Sequence, residues 1–494
     1  MVKARLYSSE PAPISVQAEW DSLFKSMNYW SQAQDIPPHL MELVKDASYF
    51  AYRFKRFFDN VSDEQYEQGD TTRSAALHRA RLNVIAEWDN IQQALEQRKN
   101  ERYRERLDEL DKLASECLTP ILGDATAHRA ATYFHKVYDI VRFAFSQKPL
   151  LGAPYSALHL PESWLAIPHE AGHYIFWNGT DSVAEFSQFQ TSLENAVVQQ
   201  LAASLRPVAK QDISRSRRPR QVYTTWLSWL DELFADIYGT LVAGPASGWS
   251  MQSSLGTRTD SRGLDEDDGE HPYPFLRPFI HIAVLRHMAD LTDDHEFAND
   301  LRVLATSQEY SWRNTWPPET VALLRSAEGR GKMEAMVRQD LPVVVMTILN
   351  VPIPAPDGPP QTLAERFKAG RFYTRQRHER ILEAAELLHQ GNDPQFESLL
   401  ERSAAAQMAL IDNQNPAAVW KALQFVEELY TPKPEYIAAE AQQRLDARFA
   451  EFLKGATGSD NAELQRRAWD MVIEGTLSLE KGHGLDHHHH VHAH

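Results

Sequence analysis

One cysteine in 494 residues, Cys117, excludes an internal disulfide framework and any zinc site built from cysteines alone. No apolar run approaches the ~20 residues that a membrane-spanning helix needs. The opening residues, Met1 to Pro13, lack the charged-then-apolar pattern of a secretory leader. Basic residues are in short supply as well: 51 Lys and Arg against 68 Asp and Glu leave a formal charge of −17. Such a chain has no general electrostatic attraction to nucleic acid or anionic lipid, whose binding rests on clustered Lys and Arg. A hydrophobic fraction of 43% with 24% charged residues is too near the globular average for wholesale disorder. Together these features imply a soluble, cytoplasmic, acidic protein with a large core and no nucleic-acid or membrane partner.

What is present is helical periodicity. Trp20, Leu23, Phe24 and Met27 recur at i, i+3, i+4 and i+7, one apolar stripe on a helix. From Thr71 to Leu118 neither proline nor glycine interrupts the chain, and Val84, Trp88, Ile91 and Leu95 alternate spacings of four and three. Between Glu96 and Lys112 six acidic and six basic residues crowd together, the pattern of a solvated face laced with i,i+4 pairs. Pro120 and Gly123 close that block, and a further helix is expected from about Thr126 to Ser146. Val343-Val344-Val345-Met346 suits a buried strand or a core helix, which periodicity cannot separate. Pro352, Pro354, Pro356, Gly358, Pro359 and Pro360 suggest a semi-rigid linker or an extended surface crossing. Amphipathic helices follow, for example around Trp420, Leu423 and Val426, broken at Thr431-Pro432-Lys433-Pro434. The expected fold class is mostly α, multi-helical, with a possible small β-sheet. Its expected divisions are a helical domain over residues 1–123, a central domain over 124–350, a helical domain over 361–480 and a tail over 486–494. The tail holds six of the 20 histidines and reads as an affinity tag.

The central region carries the string His169-Glu170-Ala171-Gly172-His173. Two histidines four apart on a helix project about 40° apart, one turn above the other, so both imidazoles can reach one metal ion. Glu170 stands beside the ion without binding it, where it can take a proton from an attacking water. Pro168 cannot sit in a helix interior, so the helix starts near Ile167, with proline in its first turn. A catalytic zinc usually has three protein ligands. Downstream, Trp226, Trp229, Leu230, Leu233 and Ile237 form one apolar helix face, with Glu232 and Asp236 together at its edge. Carboxylates there are costly unless a cation or a donor meets them. A metal ion and a metal-bound histidine would satisfy both, Glu232 as third ligand and Asp236 accepting a ligand histidine's free N–H.

This arrangement resembles the gluzincin branch of the zinc metallopeptidases, whose H-E-x-x-H helix is followed by a helix bearing E-x-x-x-D. The resemblance spans only His169 to Gly239. It implies a zincin-like catalytic core with a zinc ion (Zn2+) as cofactor. Carried over position by position, His169, His173 and Glu232 match the zinc ligands, Glu170 the general base, and Asp236 the carboxylate behind a ligand histidine. Glu232 follows His173 by 59 residues, a longer spacing than in the family's best-known members. Asp236, and then Glu194, therefore remain alternative third ligands.

Around the two helices, Arg215-Ser216-Arg217-Arg218-Pro219-Arg220 reads as an exposed loop. The stretch from Gly244-Pro245 to Gly269 lacks periodicity and suits a mobile lid; its run Asp265-Glu266-Asp267-Asp268 is expected to be solvated. Hydrolysis develops an oxyanion that a neighbouring donor stabilises. His271, Tyr273, Arg277 and Tyr238 are the candidates, whereas His281 and His287 read as packing residues. The functional expectation is zinc-dependent peptide-bond hydrolysis on a peptide or protein substrate, with Glu170 as base and the helical flanks open to a protein partner. Two alternatives use the same residues: a non-haem iron enzyme, and a non-catalytic helical scaffold with a degenerate motif.

Overall fold

The computed structural model describes residues 16–411 apart from 69–70, 124–129, 142, 144–145, 147, 179–182, 210–217, 257–263, 265–267, 317–320 and 356–357, together with 419. The helices expected around Trp420, the tail, the arginines at 215 and 217 and the acidic residues 265–267 lie outside the described residues. The fold is mostly α, with one three-stranded and one two-stranded sheet among the described residues.

Three helices open the chain: α1 (Val16–Ser31), α2 (Pro38–Gln68) and α3 (Thr71–Gln97). The stripe read from the sequence is their core: Trp20, Leu23, Met27, Val84, Trp88, Ile91 and Leu95 are all buried in one cluster. The uninterrupted run ends sooner than expected, because Asn100 caps a new helix, α4 (Glu101–Leu122), by accepting the Arg102 N–H. Gly123, at φ 80°, terminates it in a conformation that side chains avoid.

The helix expected over Thr126–Ser146 is not formed. Its place is taken by β1 (Ala131–His135) and β2 (Asp139–Val141), which pair with β3 (Leu150–Pro154) in the order β1-β3-β2. β1 runs parallel to β3, Ala131 opposite Leu150, and β2 antiparallel to it, Ile140 opposite Leu151. Short apolar runs do not declare their type by periodicity; here the Leu150–Pro154 partner decides it.

Then follow α5 (Ile167–Asn178), α6 (Val183–Ala209), α7 (Arg218–Ser228), α8 (Leu230–Ala243), α9 (Pro245–Gly256), α10 (Arg277–Leu291) and α11 (His295–Thr315). α9 occupies part of the stretch read as a lid. Its Trp249, Gln252 and Leu255 are buried, and Pro245 supplies the fixed φ of a first helical position. After α12 (Ala322–Arg325) and α13 (Ala327–Ala335), a π-helical turn leads into α14 (Leu341–Asn350), so the Val343–Met346 run is a helix. The proline-rich segment is a hairpin rather than a linker: β4 (Ile353–Ala355) pairs with β5 (Gly358–Gln361). A two-stranded ribbon is all edge, where proline's missing N–H is tolerated. α15 (Leu363–Lys368), α16 (Arg375–His389) and α17 (Leu399–Leu410) complete the described chain.

The apolar core crosses both expected internal boundaries. α4 contributes Leu107 and Leu118, and α15–α17 contribute Leu363, Ile381 and Ala404, to the same cluster as Trp164, Ile175 and Leu233. Among the described residues no helix is long and apolar enough to cross a membrane.

Candidate metal centre

α5 begins at Ile167 with Pro168 in its first turn, as the sequence requires, and its His169 and His173 reach Asp236 and Asp231 of α8. The two helices approach closely because the residues between them are small. A methyl group on Gly172 would lie 2.7 Å from the Ala235 Cα, and one on Gly239 3.3 Å from the His169 backbone nitrogen. α8 is buried along almost its whole length, Glu232 and Asp236 included. Asp231 and Glu232 occupy its first turn, where the helix dipole favours negative charge.

His169, His173 and Glu232 each bring one ligand atom within 4.8 Å of the others, a group that could hold a metal ion. The two Nε2 atoms are 3.0 Å apart. His173 Nε2 lies 3.3 Å from one Glu232 oxygen and His169 Nε2 3.5 Å from the other. Four ligands at about 2.0–2.2 Å from a tetrahedral ion are separated by roughly 3.3–3.6 Å. Two imidazole nitrogens and a carboxylate are ligand types such an ion accepts, so the group could hold a metal ion. Without an ion, the imidazole contact needs a proton between two lone pairs, and one buried Glu232 oxygen has no hydrogen bond. Glu194, on α6, is not part of the group.

Each imidazole is fixed from behind. His169 Nδ1 lies 2.9 Å from Asp236, the contact expected of that carboxylate. His173 Nδ1 bonds Asp231 at 2.6 Å, and the Trp177 indole N–H donates to the other Asp231 oxygen at 2.7 Å. Neither Asp231 nor Trp177 was legible as a site residue. Asp231 lies a third of a turn off the Glu232–Asp236 line, although Trp177, four after His173, shares its helix face and stacks on it.

Arg277, at the start of α10, is buried and grips Asp236 through two bonds of 2.8 and 3.0 Å. The same guanidinium lies 3.2 Å from Glu232. Its Nε and Nη2 donors are thus engaged with the carboxylates. Tyr238 requires a correction: its buried hydroxyl donates to the Cys117 carbonyl of α4 at 2.6 Å, so it is not a donor at the candidate centre. Tyr273 packs its ring against Trp229 and meets the Lys332 ammonium at 3.5 Å. His271 does reach the group. Its Nε2 lies 3.3 Å from Glu232, and Asp268 holds its Nδ1 at 2.7 Å. His281 bonds Thr240 at 2.7 Å and comes within 3.8 Å of Asp236, so it packs behind the centre.

Charge balance explains how these acids are buried. Burial works to raise the Glu232 carboxyl, but Arg277, His173 and His271 together hold it well below the usual range. Burial likewise opposes the His173 imidazolium, but the bonds to Asp231 and Glu232 prevail and raise it well above the usual value. Glu170 goes the other way: burial lifts its carboxyl, with His169 and His173 opposing. A carboxyl shifted that way holds a proton more readily than a free one. Against known proteins, no family model matches the chain, no curated protein matches it, and no solved structure matches it.

Proposed function

We propose that the chain is a zinc-dependent peptide hydrolase. His169, His173 and Glu232 would hold the ion, and Asp231, Asp236 and Arg277 would fix those ligands. The observation that carries the reading is that His169, His173 and Glu232 each bring one ligand atom within 4.8 Å of the others, the two imidazole Nε2 atoms 3.0 Å apart and facing the two Glu232 oxygens at 3.3 and 3.5 Å. When bound, zinc supplies Lewis acidity and acidifies the attacking water. Glu170 takes that water's proton on its carboxylate and returns it to the leaving amine nitrogen. Its burial excludes bulk water from the transfer. His271, oriented by Asp268, presents Nε2 to the side of Glu232 and would donate to a developing oxyanion by turning from that carboxylate.

Elemental analysis of protein lacking residues 486–494, paired with peptide-library digestion, tests the proposal. Wild type is expected to carry one zinc per chain and cleave. Glu170→Gln should retain the zinc and lose roughly 100-fold or more in turnover, the range for a missing general base. His173→Ala should lose both. Iron in place of zinc would move the assignment to oxygen chemistry. Full cleavage by Glu170→Gln would rule out Glu170 as the base and end the hydrolytic mechanism.

A further inference from the structure

A cavity of about 170 Å³ opens beside the first turn of α10, on the side opposite Arg277, with Phe275 and Phe279 on one wall and Leu324, Met333 and Val337 on others. The lining is largely apolar, yet two donors shut off from solvent have no hydrogen-bond acceptor among the described residues: Trp316 Nε1 and Arg313 Nη2. They stand three residues apart, Arg313 in the last turn of α11 and Trp316 at its C-cap, and both residues line the cavity. The rest of the Arg313 guanidinium is engaged, Nε with Glu309 at 2.9 Å and Nη1 with Glu334 at 2.6 Å, and it lies over the Phe279 ring. The Arg313 side chain as a whole remains one-third exposed, so the cavity lies close to the surface.

The local charge is positive in a protein of net −17. Glu309 is shared between Arg286 and Arg313, Glu334 between Arg313 and Arg338, and Arg330 also lines the cavity. In the lining itself two guanidiniums, Arg313 and Arg330, stand against one carboxylate, Glu334. An apolar chamber with two unused donors and a net positive lining selects a ligand with one anionic, acceptor-only end and a hydrocarbon body. A dry cavity of about 150 Å³ holds a benzene ring, so the volume admits one aromatic ring or a short alkyl chain.

We propose that this cavity binds a small apolar monocarboxylate, its carboxylate accepting from Arg313 Nη2 and Trp316 Nε1 and its hydrocarbon part lying against Phe275, Phe279 and Val337. The site shares only the α10 turn with the candidate metal centre and does not rest on the zinc reading. Isothermal titration of the full chain with benzoate and with hexanoate tests it, with benzyl alcohol as the uncharged control. At least one carboxylate is expected to bind saturably and at least tenfold tighter than the alcohol. Trp316→Phe keeps the ring but removes the N–H, and should weaken binding roughly tenfold or more, the range for losing a hydrogen bond to a charged group. Val337→Phe fills the chamber and should abolish binding while the metal content stays that of wild type. No saturable binding of either carboxylate, equal binding of carboxylate and alcohol, or wild-type binding by both variants would overturn the proposal.

Discussion

At the scale of single residues, the two nitrogens of each imidazole have separate tasks. Nε2 of His169, His173 and His271 turns toward Glu232, while Nδ1 rests against Asp236, Asp231 and Asp268 respectively. A carboxylate behind a ligand fixes its tautomer and raises its basicity. Asp231 also holds Trp177, so one side chain sets both the His173 ring and the indole stacked on it. Asp231→Ala is therefore expected to lower metal affinity by about 10–100-fold in a competitive chelator titration. Asp231→Asn, which can still accept from the imidazole N–H but not also from the indole, should recover part of that loss; wild-type affinity in the alanine variant would refute the role. His281 gives a pH dependence of opposite origin. Burial drives its imidazole down from 6.5 to about 4, so it stays neutral in the folded protein at pH values where the unfolded chain is protonated. Its contribution to stability is full above pH 6.5 and is lost as pH falls toward 4. His281→Gln should flatten the fall in urea-unfolding free energy across that window, and parallel slopes for the two proteins would contradict the assignment.

At the scale of elements, the centre exists because two helices cross at almost van der Waals contact. Gly172 is the middle of that crossing: a methyl group there meets the Ala235 backbone, which cannot swing aside as a flexible side chain would. Gly172→Ala should force the helices apart and cost about 1–3 kcal/mol, the usual penalty for overpacking. Because His169 and His173 ride on one helix and Glu232 on the other, the same substitution should weaken metal binding. Chemical unfolding and a chelator titration on one preparation check both effects, and a variant with wild-type values in each would show the crossing to be loose.

At the scale of the whole molecule, one buried acid ties the opening helices to the rest. Asp111 of α4 meets His39 of α2, Arg98 and Thr132 of β1, each at 2.7 Å and all buried. Burial opposes its ionisation, but Arg98 and His39 hold its carboxyl below the usual value. Removing one partner of a buried charge network strands the other, so Asp111→Ala should destabilise the fold by about 3–5 kcal/mol. A loss below about 1 kcal/mol in urea unfolding would mean that the arginine finds another partner or water.

Much of this was open to reading along the chain. The 3.6-residue spacing of Trp20, Leu23 and Met27 is a property of neighbouring residues, so the first helices and their buried face were legible. The pair His169 and His173, with Glu170 beside the first, was legible for the same reason. Non-local pairing was not. Ala131–His135 became a strand because Leu150–Pro154 lies alongside it, and the prolines after Val351 became a hairpin because Gln361 returns to Ile353. The sequence by itself determined a helical protein with two histidines on one helical turn. Only the tertiary structure decided that Glu232 joins them, that Arg277 balances the acids, that Asp231 stands behind His173 and that Tyr238 turns to Cys117. Those contacts join residues 41 to 121 positions apart, where local spacing carries no information and packing alone sets direction.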